Sequence, residues 1–445
     1  MNQRIALFFV MLAFMGVWSA GGEGIQAQDT TPPHPLLEML ALVPDTPEIR
    51  AEMREVRCWG VSYMDYRAIV AARPGVTPIA SWEEYDALDN SADQAAQDSA
   101  DLWMAALGGM FSGPRNFLAA TFYHDEYAMA GVVGFDFFDV ARGLTYTCGS
   151  SAVDVLVGEF DTTAIAQALS NRGYTSQEYA GGTLWCGPDG CESGMRTDLE
   201  RANPANPFGG DLGREQPLLV LPGYLISAGD FDRIAAYPDL LAGSTPTLAD
   251  APDFQAAASA VLAAGTLMQA QFYHPAYFTY SDPPRALACD IRMTQPQCEA
   301  AVEALRADFV PLPRYSLVIF ADIVTGDDQL TLIGLVYNDA AQAQTAAEVV
   351  YTRMLKYISM IGDQPLLTEQ LAYWDGVIET PQLYNHAATG QTVVVIPWRA
   401  PMPPPEQPDE FPQLFVNSSV LFRNLIRSFY RQDLRWLAIG PEESE

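Results

Sequence analysis

Two short strings concentrate the residues best suited to chemistry. Phe122-Tyr123-His124-Asp125-Glu126-Tyr127 and Phe272-Tyr273-His274-Pro275-Ala276-Tyr277 share the pattern Phe-Tyr-His-x-x-Tyr, and together they hold two of the chain's four histidines. Imidazole titrates near neutrality, so it can act as acid, base or ligand anchor, and tyrosine adds an apolar ring with a hydroxyl tip. On a strand the histidine and the two tyrosines point to opposite faces. One face would then be core and the other a surface or cleft. His124, His274, Tyr123, Tyr127, Tyr273 and Tyr277 are therefore the candidate ligand-binding residues, with packing of a duplicated strand as the competing explanation. A catalytic version would use His124 with Asp125 or Glu126 to adjust its pKa. The second copy carries Pro275 and Ala276 instead, and neighbours on a strand face opposite ways, so Asp125 is poorly placed to orient His124.

Other enzyme signatures are missing from the sequence. It has no Gly-x-Ser-x-Gly elbow, no His-Glu-x-x-His, no phosphate loop and no Ser-x-x-Lys. Lys356 is the only lysine, and it reads as a solvated charge on a helix side. The acids Asp86, Asp89, Asp93, Asp98 and Asp101 lack the spacing of a calcium loop and read as a solvated helix face. No metal and no cofactor is expected. The catalytic residues, if the chain has any, are not assigned by the sequence.

Six cysteines are present: Cys58, Cys148, Cys186, Cys191, Cys289 and Cys298. Zinc sites favour Cys-x2-Cys or spaced histidines, and neither pattern occurs. Turn residues separate Cys186 from Cys191, and Cys289 to Cys298 closes a short loop. These two local pairs suggest disulfides and leave Cys58 with Cys148, one of fifteen connectivities that six cysteines allow.

The first residues run from Arg4 through an apolar stretch, Ile5 to Trp18, to a small and polar segment ending at Ala27. That order is a secretory signal. The expected layout is a signal peptide over residues 1–27, cleaved after Ala27, with an uncut anchor as the alternative, and a disordered N-terminus over 28–35. The apolar run is too short to cross a bilayer comfortably, since about 20 apolar residues are needed, and nothing similar recurs downstream. With 55 acidic against 24 basic residues the net charge is -31. Such a field repels nucleic acid and anionic lipid. The chain thus reads as extracytoplasmic: secreted, periplasmic or at the cell surface.

These residues must be held by a fold, and three landmarks recur in order along the chain. Val61 to Ile69 and Ile226 to Ile234 each read as a strand running into a helix behind an aspartate cap, Asp65 or Asp230. The Phe-Tyr-His-x-x-Tyr strings follow, each after an alanine-rich helix. Third, strand 153–160 leads through Asp161 into helix 162–171, and strand 330–337 leads through Asn338 and Asp339 into helix 340–361. Further strands are expected at 218–226, 315–324 and 392–398, with a hairpin turn between Val324 and Leu330. The pattern predicts an α+β fold of two lobes from a diverged internal duplication, each with an antiparallel sheet and packed helices. Lobe one spans 36–210 and lobe two 211–400. A proline-rich linker covers 401–412, and 413–445 form a C-terminal amphipathic helix and tail.

In that helix Phe422, Leu425, Ile426, Phe429 and Leu437 gather on one side, while Arg423, Arg427, Arg431 and Arg435 follow one another at i, i+4. Asp433 interrupts the apolar side. The helix is expected to fold back on the body, with peripheral contact to a membrane or partner through the arginines as the alternative. Leu42-Val43-Pro44-Asp45-Thr46-Pro47 and Leu248-Ala249-Asp250-Ala251-Pro252-Asp253-Phe254 resemble strings in a loosely defined group of exported bacterial proteins of unknown function. The resemblance implies an extracytoplasmic location and transfers no active site. The sequence favours a non-enzymatic binding protein of the envelope or surface, with its site between the lobes and with an unknown small ligand or envelope protein as partner. An extracytoplasmic hydrolase using His124 and a structural envelope component are the alternatives.

Overall fold

The computed structural model describes residues 34–55, 60–73, 75–107, 117, 128–146, 152–289, 292–359, 366–402 and 419–441. The chain divides into two units, Met1–His34 and Pro35–Glu445. Only His34 of the first is described. The second is α+β, as expected, and is built on an antiparallel sheet that has 13 strands among the described residues.

The strands in chain order are β1 (Val61–Asp65), β2 (Val140–Tyr146), β3 (Val153–Gly158), β4 (Thr175–Tyr179), β5 (Gly182–Cys186), β6 (Leu218–Leu221), β7 (Tyr224–Ala228), β8 (Thr266–Tyr273), β9 (Leu317–Thr325), β10 (Asp328–Tyr337), β11 (Val377–Ile378), β12 (Gln382–His386) and β13 (Gln391–Pro401). Across the sheet they lie in the order β11, β13, β10, β9, β8, β1, β2, β3, β7, β6, β5, β4, and β12 also pairs with β13. Strands from the two halves of the sequence therefore interleave. β8 pairs with β1, Val61 opposite Phe272, and β7 pairs with β3, Val153 opposite Ala228. The expectation of a separate sheet in each lobe gives way to one shared sheet, because these cross-half pairs satisfy strand edges that separate sheets would leave open.

The two sheet faces are organised differently. On one, a single apolar core runs through both halves, from Tyr63, Tyr146 and Ile226 to Phe272, Ile319 and Leu332. Helices α1 (Pro35–Leu40), α2 (Pro47–Met53) and α10 (Pro252–Leu262) cover it. On the other, two cores stay apart. One holds Met64, Trp103, Leu156 and Leu225. The other holds Phe320, Leu335, Trp398 and Phe422. Strand β9 is apolar on both sides because both faces are covered, Val318 and Phe320 facing one core and Ile319 and Ala321 the other.

A polar seam lies where the two cores meet. Asp322 follows Phe320 on that face and precedes Val324, so it stands between the cores, fully buried. It accepts a hydrogen bond from Gln269 Nε2 at 2.9 Å. Buried Arg73 donates to Ser419 Oγ at 2.5 Å and to Met402 Sδ at 3.1 Å. Gln329 Oε1 receives the Val420 amide at 3.1 Å. Burial raises the Asp322 carboxyl to about 6, although Arg73 and the hydrogen bond from Gln269 act against that rise.

The cap expectations hold at all four aspartates. Asp65 Oδ1 accepts from the Ala68 amide at 2.7 Å at the start of α3 (Tyr66–Ala71), and Asp230 accepts from Arg233 at 3.2 Å at the start of α8 (Phe231–Ala235). Asp161 and Asp339 cap α7 (Thr162–Asn171) and α13 (Ala340–Lys356). Each of these satisfies backbone donors that a helix start leaves open. The hairpin turn between β9 and β10 is present, with Gly326 at φ 60°. The stretch expected as one strand over 218–226 is instead a hairpin, because Pro222 and Gly223 turn the chain between β6 and β7 and Gly223 takes φ 78°.

Candidate binding groove

The Cys186–Cys191 and Cys289–Cys298 disulfides are both formed. Cys58 and Cys148 lie outside the described residues. The second disulfide joins α11 (Pro283–Ala288) to α12 (Gln295–Arg306) and makes them a stapled hairpin. For a sequence separation of 9 the loop-closure estimate of its contribution is about 2.5 kcal/mol. A capping box at Thr294 and Gln297 starts α12, and Arg306 at its end bonds Asp282 at 2.7 Å. The hairpin stands off the body: of the twelve residues of α12 only Cys298 and Val302 are buried.

Between this hairpin and α13 lies a groove of about 740 Å³. Its hairpin wall is built largely of small side chains, Ala286, Ala288, Ala301 and Ala304, with Leu287 and Leu305. Its other wall is the outward stripe of α13, with Thr345, Glu348, Val349, Thr352, Arg353 and Lys356. The opposite side of α13 buries Ala343, Ala346, Ala347, Val350 and Met354 in the core and fixes the stripe's direction. Alanines leave the space that longer side chains would fill. Three large apolar side chains at the groove, Met293, Val310 and Ile358, stay 37%, 54% and 50% exposed.

The end of the groove near the α13 C-terminus is braced. Arg353 Nη1 donates to Ala438 O at 2.8 Å and its Nη2 to Val310 O at 2.9 Å, and its guanidinium lies over the Phe309 ring. Burial lowers Arg353 to about 10, which leaves it charged at neutral pH. Arg435 Nη1 donates to Cys289 O at 2.6 Å and to Ala286 O at 3.2 Å, tying the hairpin to the body. Tyr357, also on the groove, donates to buried Asp433 at 2.7 Å, and Ser359 Oγ donates to the other Asp433 oxygen at 2.5 Å.

This anchoring revises the reading of the C-terminus. Helix α15 spans Val420–Tyr430 and buries Val420, Leu421, Phe422, Leu425 and Ile426, so it folds back on the body as expected. It stops before Asp433, and Gln432 adopts φ 55°. Asp433 does not spoil an apolar side; the chain has left the helix so that its carboxylate can reach Tyr357 and Ser359. Arg427 and Arg431 are exposed and Arg423 is half-buried, while Arg435 is spent on backbone carbonyls.

The second Phe-Tyr-His-x-x-Tyr string sits elsewhere. Tyr123, His124 and Tyr127 lie outside the described residues. Tyr273 ends β8 fully buried, with its ring 4.1 Å from that of Phe429, and its hydroxyl donates to Gln271. His274 is no longer strand. Its Nδ1 accepts the Ala276 amide at 3.1 Å and caps the 3-10 turn Pro275–Phe278. Pro275 ends the strand, so Tyr277 returns to Tyr273 with ring centroids 5.5 Å apart instead of following the alternation of a strand. The second string thus brings its two tyrosines together against α15 and uses its histidine as a cap. The groove residues were not singled out in the sequence, apart from Lys356, Arg435 and the disulfide pair. The available signal was the spacing of Ala301, Ala304 and Leu305 on a helix stapled at its start.

Among the described residues no cluster of histidine, cysteine and acidic side chains could hold a metal ion, and no helix is long and apolar enough to cross a membrane. Comparison with family models gives no match, and neither does comparison with curated proteins. Among solved structures, crystal form III of TP0453 aligns with 64% of this chain and 86% of its own at 8% identity, with a TM-score of 0.28.

Proposed function

We propose that this chain is a non-enzymatic binding protein that works outside the cytoplasm and holds an apolar small ligand in the groove between α12 and α13. The groove itself carries this reading. Its volume of about 740 Å³ falls in the range of small-molecule sites, and its walls are mostly apolar with a few placed polar groups. The two disulfides fit an oxidising compartment, and the apolar run from Ile5 to Trp18 fits an export signal. A diverged duplication remains part of the proposal. Its support is the repeated aspartate-capped strand-to-helix unit at Asp65 and Asp230, together with the repeated hairpin leading into a capped helix at Asp161 and Asp339.

The test uses a neutral apolar dye, Nile red, with the mature protein. Saturable binding near one dye per chain is expected, and Ala304→Trp, which places a bulky ring at an exposed wall position, should weaken it about tenfold or more. Equal binding by this variant, folded by circular dichroism, would remove the groove from consideration.

A further inference from the structure

Among the described residues the charge lining the groove differs in sign from the chain as a whole. The charged side chains there are Arg353, Lys356, Arg435, Asp308 and Glu348, three bases against two acids, in a protein of net charge -31. The charges are also ordered along α13. Glu348 lies two turns before Lys356, about 12 Å along the axis, with Val349 and Thr352 between them. Lys356 is exposed, and no carboxylate bonds either Lys356 or Arg353 among the described residues. Arg353 is fixed by backbone carbonyls, so its charge supports the site while Lys356 keeps its donors for a ligand.

Building on the groove as the binding site, we infer that its ligand is a single-chain amphiphile with a carboxylate head, the head against Lys356 and the alkyl tail along the alanine wall toward Thr345. The stripe from Thr345 to Lys356 spans about 16 Å, long enough to bed an extended acyl chain. A monovalent head suits this end of the groove better than a phosphate dianion. Lys356 closes α13, where the last carbonyls carry partial negative charge, and phosphate sites normally place helix N-termini or paired guanidinium forks on the anion.

Competition against bound Nile red separates this inference from the reading beneath it. Dodecanoate, dodecanol, dodecylammonium and dodecyl phosphate are titrated below their micelle concentrations at low salt and neutral pH. Dodecanoate should displace the dye about threefold to tenfold more tightly than dodecanol, with dodecylammonium weakest and dodecyl phosphate no tighter than dodecanoate. Lys356→Gln should bring dodecanoate and dodecanol to equal affinity within that variant, and Lys356→Glu should reverse the order. No preference in the wild type, or a preference that survives Lys356→Gln, overturns the carboxylate assignment. A tighter phosphate does so too. Failure of the dye to bind at all would instead overturn the groove as a site.

Discussion

Replacing Asp322 by asparagine tests the energetics of the polar seam. The carboxyl is fully buried between two apolar cores, and burial moves it from the ordinary 3.8 to about 6. At about 1.36 kcal/mol per pH unit, keeping it charged above pH 6 costs the folded state about 3 kcal/mol. Because the folded value is the higher one, the folded chain binds a proton near pH 5 that the unfolded chain does not. This group's contribution to stability therefore rises as pH falls through 6 and is complete below about 4. About 2 kcal/mol of it should be realised by pH 4.5. Asparagine stays neutral throughout and retains an oxygen for the Gln269 amide, so the stability gap between wild type and Asp322→Asn should move by about 2 kcal/mol in favour of the wild type between pH 7.5 and pH 4.5. Urea unfolding of both proteins with intact disulfides measures it. Other titrating groups, common to both chains, cancel in the difference. A gap that is the same at both pH values within about 0.5 kcal/mol would refute the reasoning and mean that the seam keeps Asp322 charged at little cost.

Two further substitutions address the C-terminal segment. Asp433→Ala removes the acceptor of two buried hydroxyls, Tyr357 and Ser359, and should cost about 3 kcal/mol in urea unfolding, with wild-type behaviour arguing that water replaces the carboxylate. Deleting residues 419–445 exposes the surface that Leu421, Phe422, Leu425, Ile426, Trp436 and Leu437 now cover. At about 1.5–3 kcal/mol for each buried side chain this loss matches or exceeds the net stability of a typical domain. The truncated chain should be unfolded by circular dichroism and rapidly proteolysed, and a cooperative melt near the wild-type temperature would show that the segment is peripheral.

The sequence made the local elements legible where one signal decides them. Aspartate before an apolar helix located four caps, Gly326 and Asp327 located a hairpin, and nearby cysteines located two disulfides. The Pro222-Gly223 turn was equally local, but the apolar residues on both sides masked it as one strand. Long-range pairing was less accessible. Nothing in Val61 to Asp65 indicates that β8 lies beside it, because antiparallel partners are chosen by registry and shared faces across the whole fold. The His274 turn was missed because the string was read as a strand throughout, although Pro275 already argues against that. The groove was beyond reach for a related reason: it is the space left between two helices, and alanines on a helix read as helix formers before they read as room for a ligand.

The interleaving of strands also constrains the order in which the molecule can be completed. β1 is made early, yet its neighbour on one side, β8, appears only after Tyr273 has been synthesised, and β3 waits for β7 in the same way. Neither half of the chain can close its share of the sheet while the other is missing. Until then, an N-terminal fragment presents hydrogen-bonding edges and apolar strand faces to whatever surrounds it. An incomplete chain would thus depend on holding factors until most of its length is available, and a truncation within the second half should aggregate instead of leaving a folded remnant.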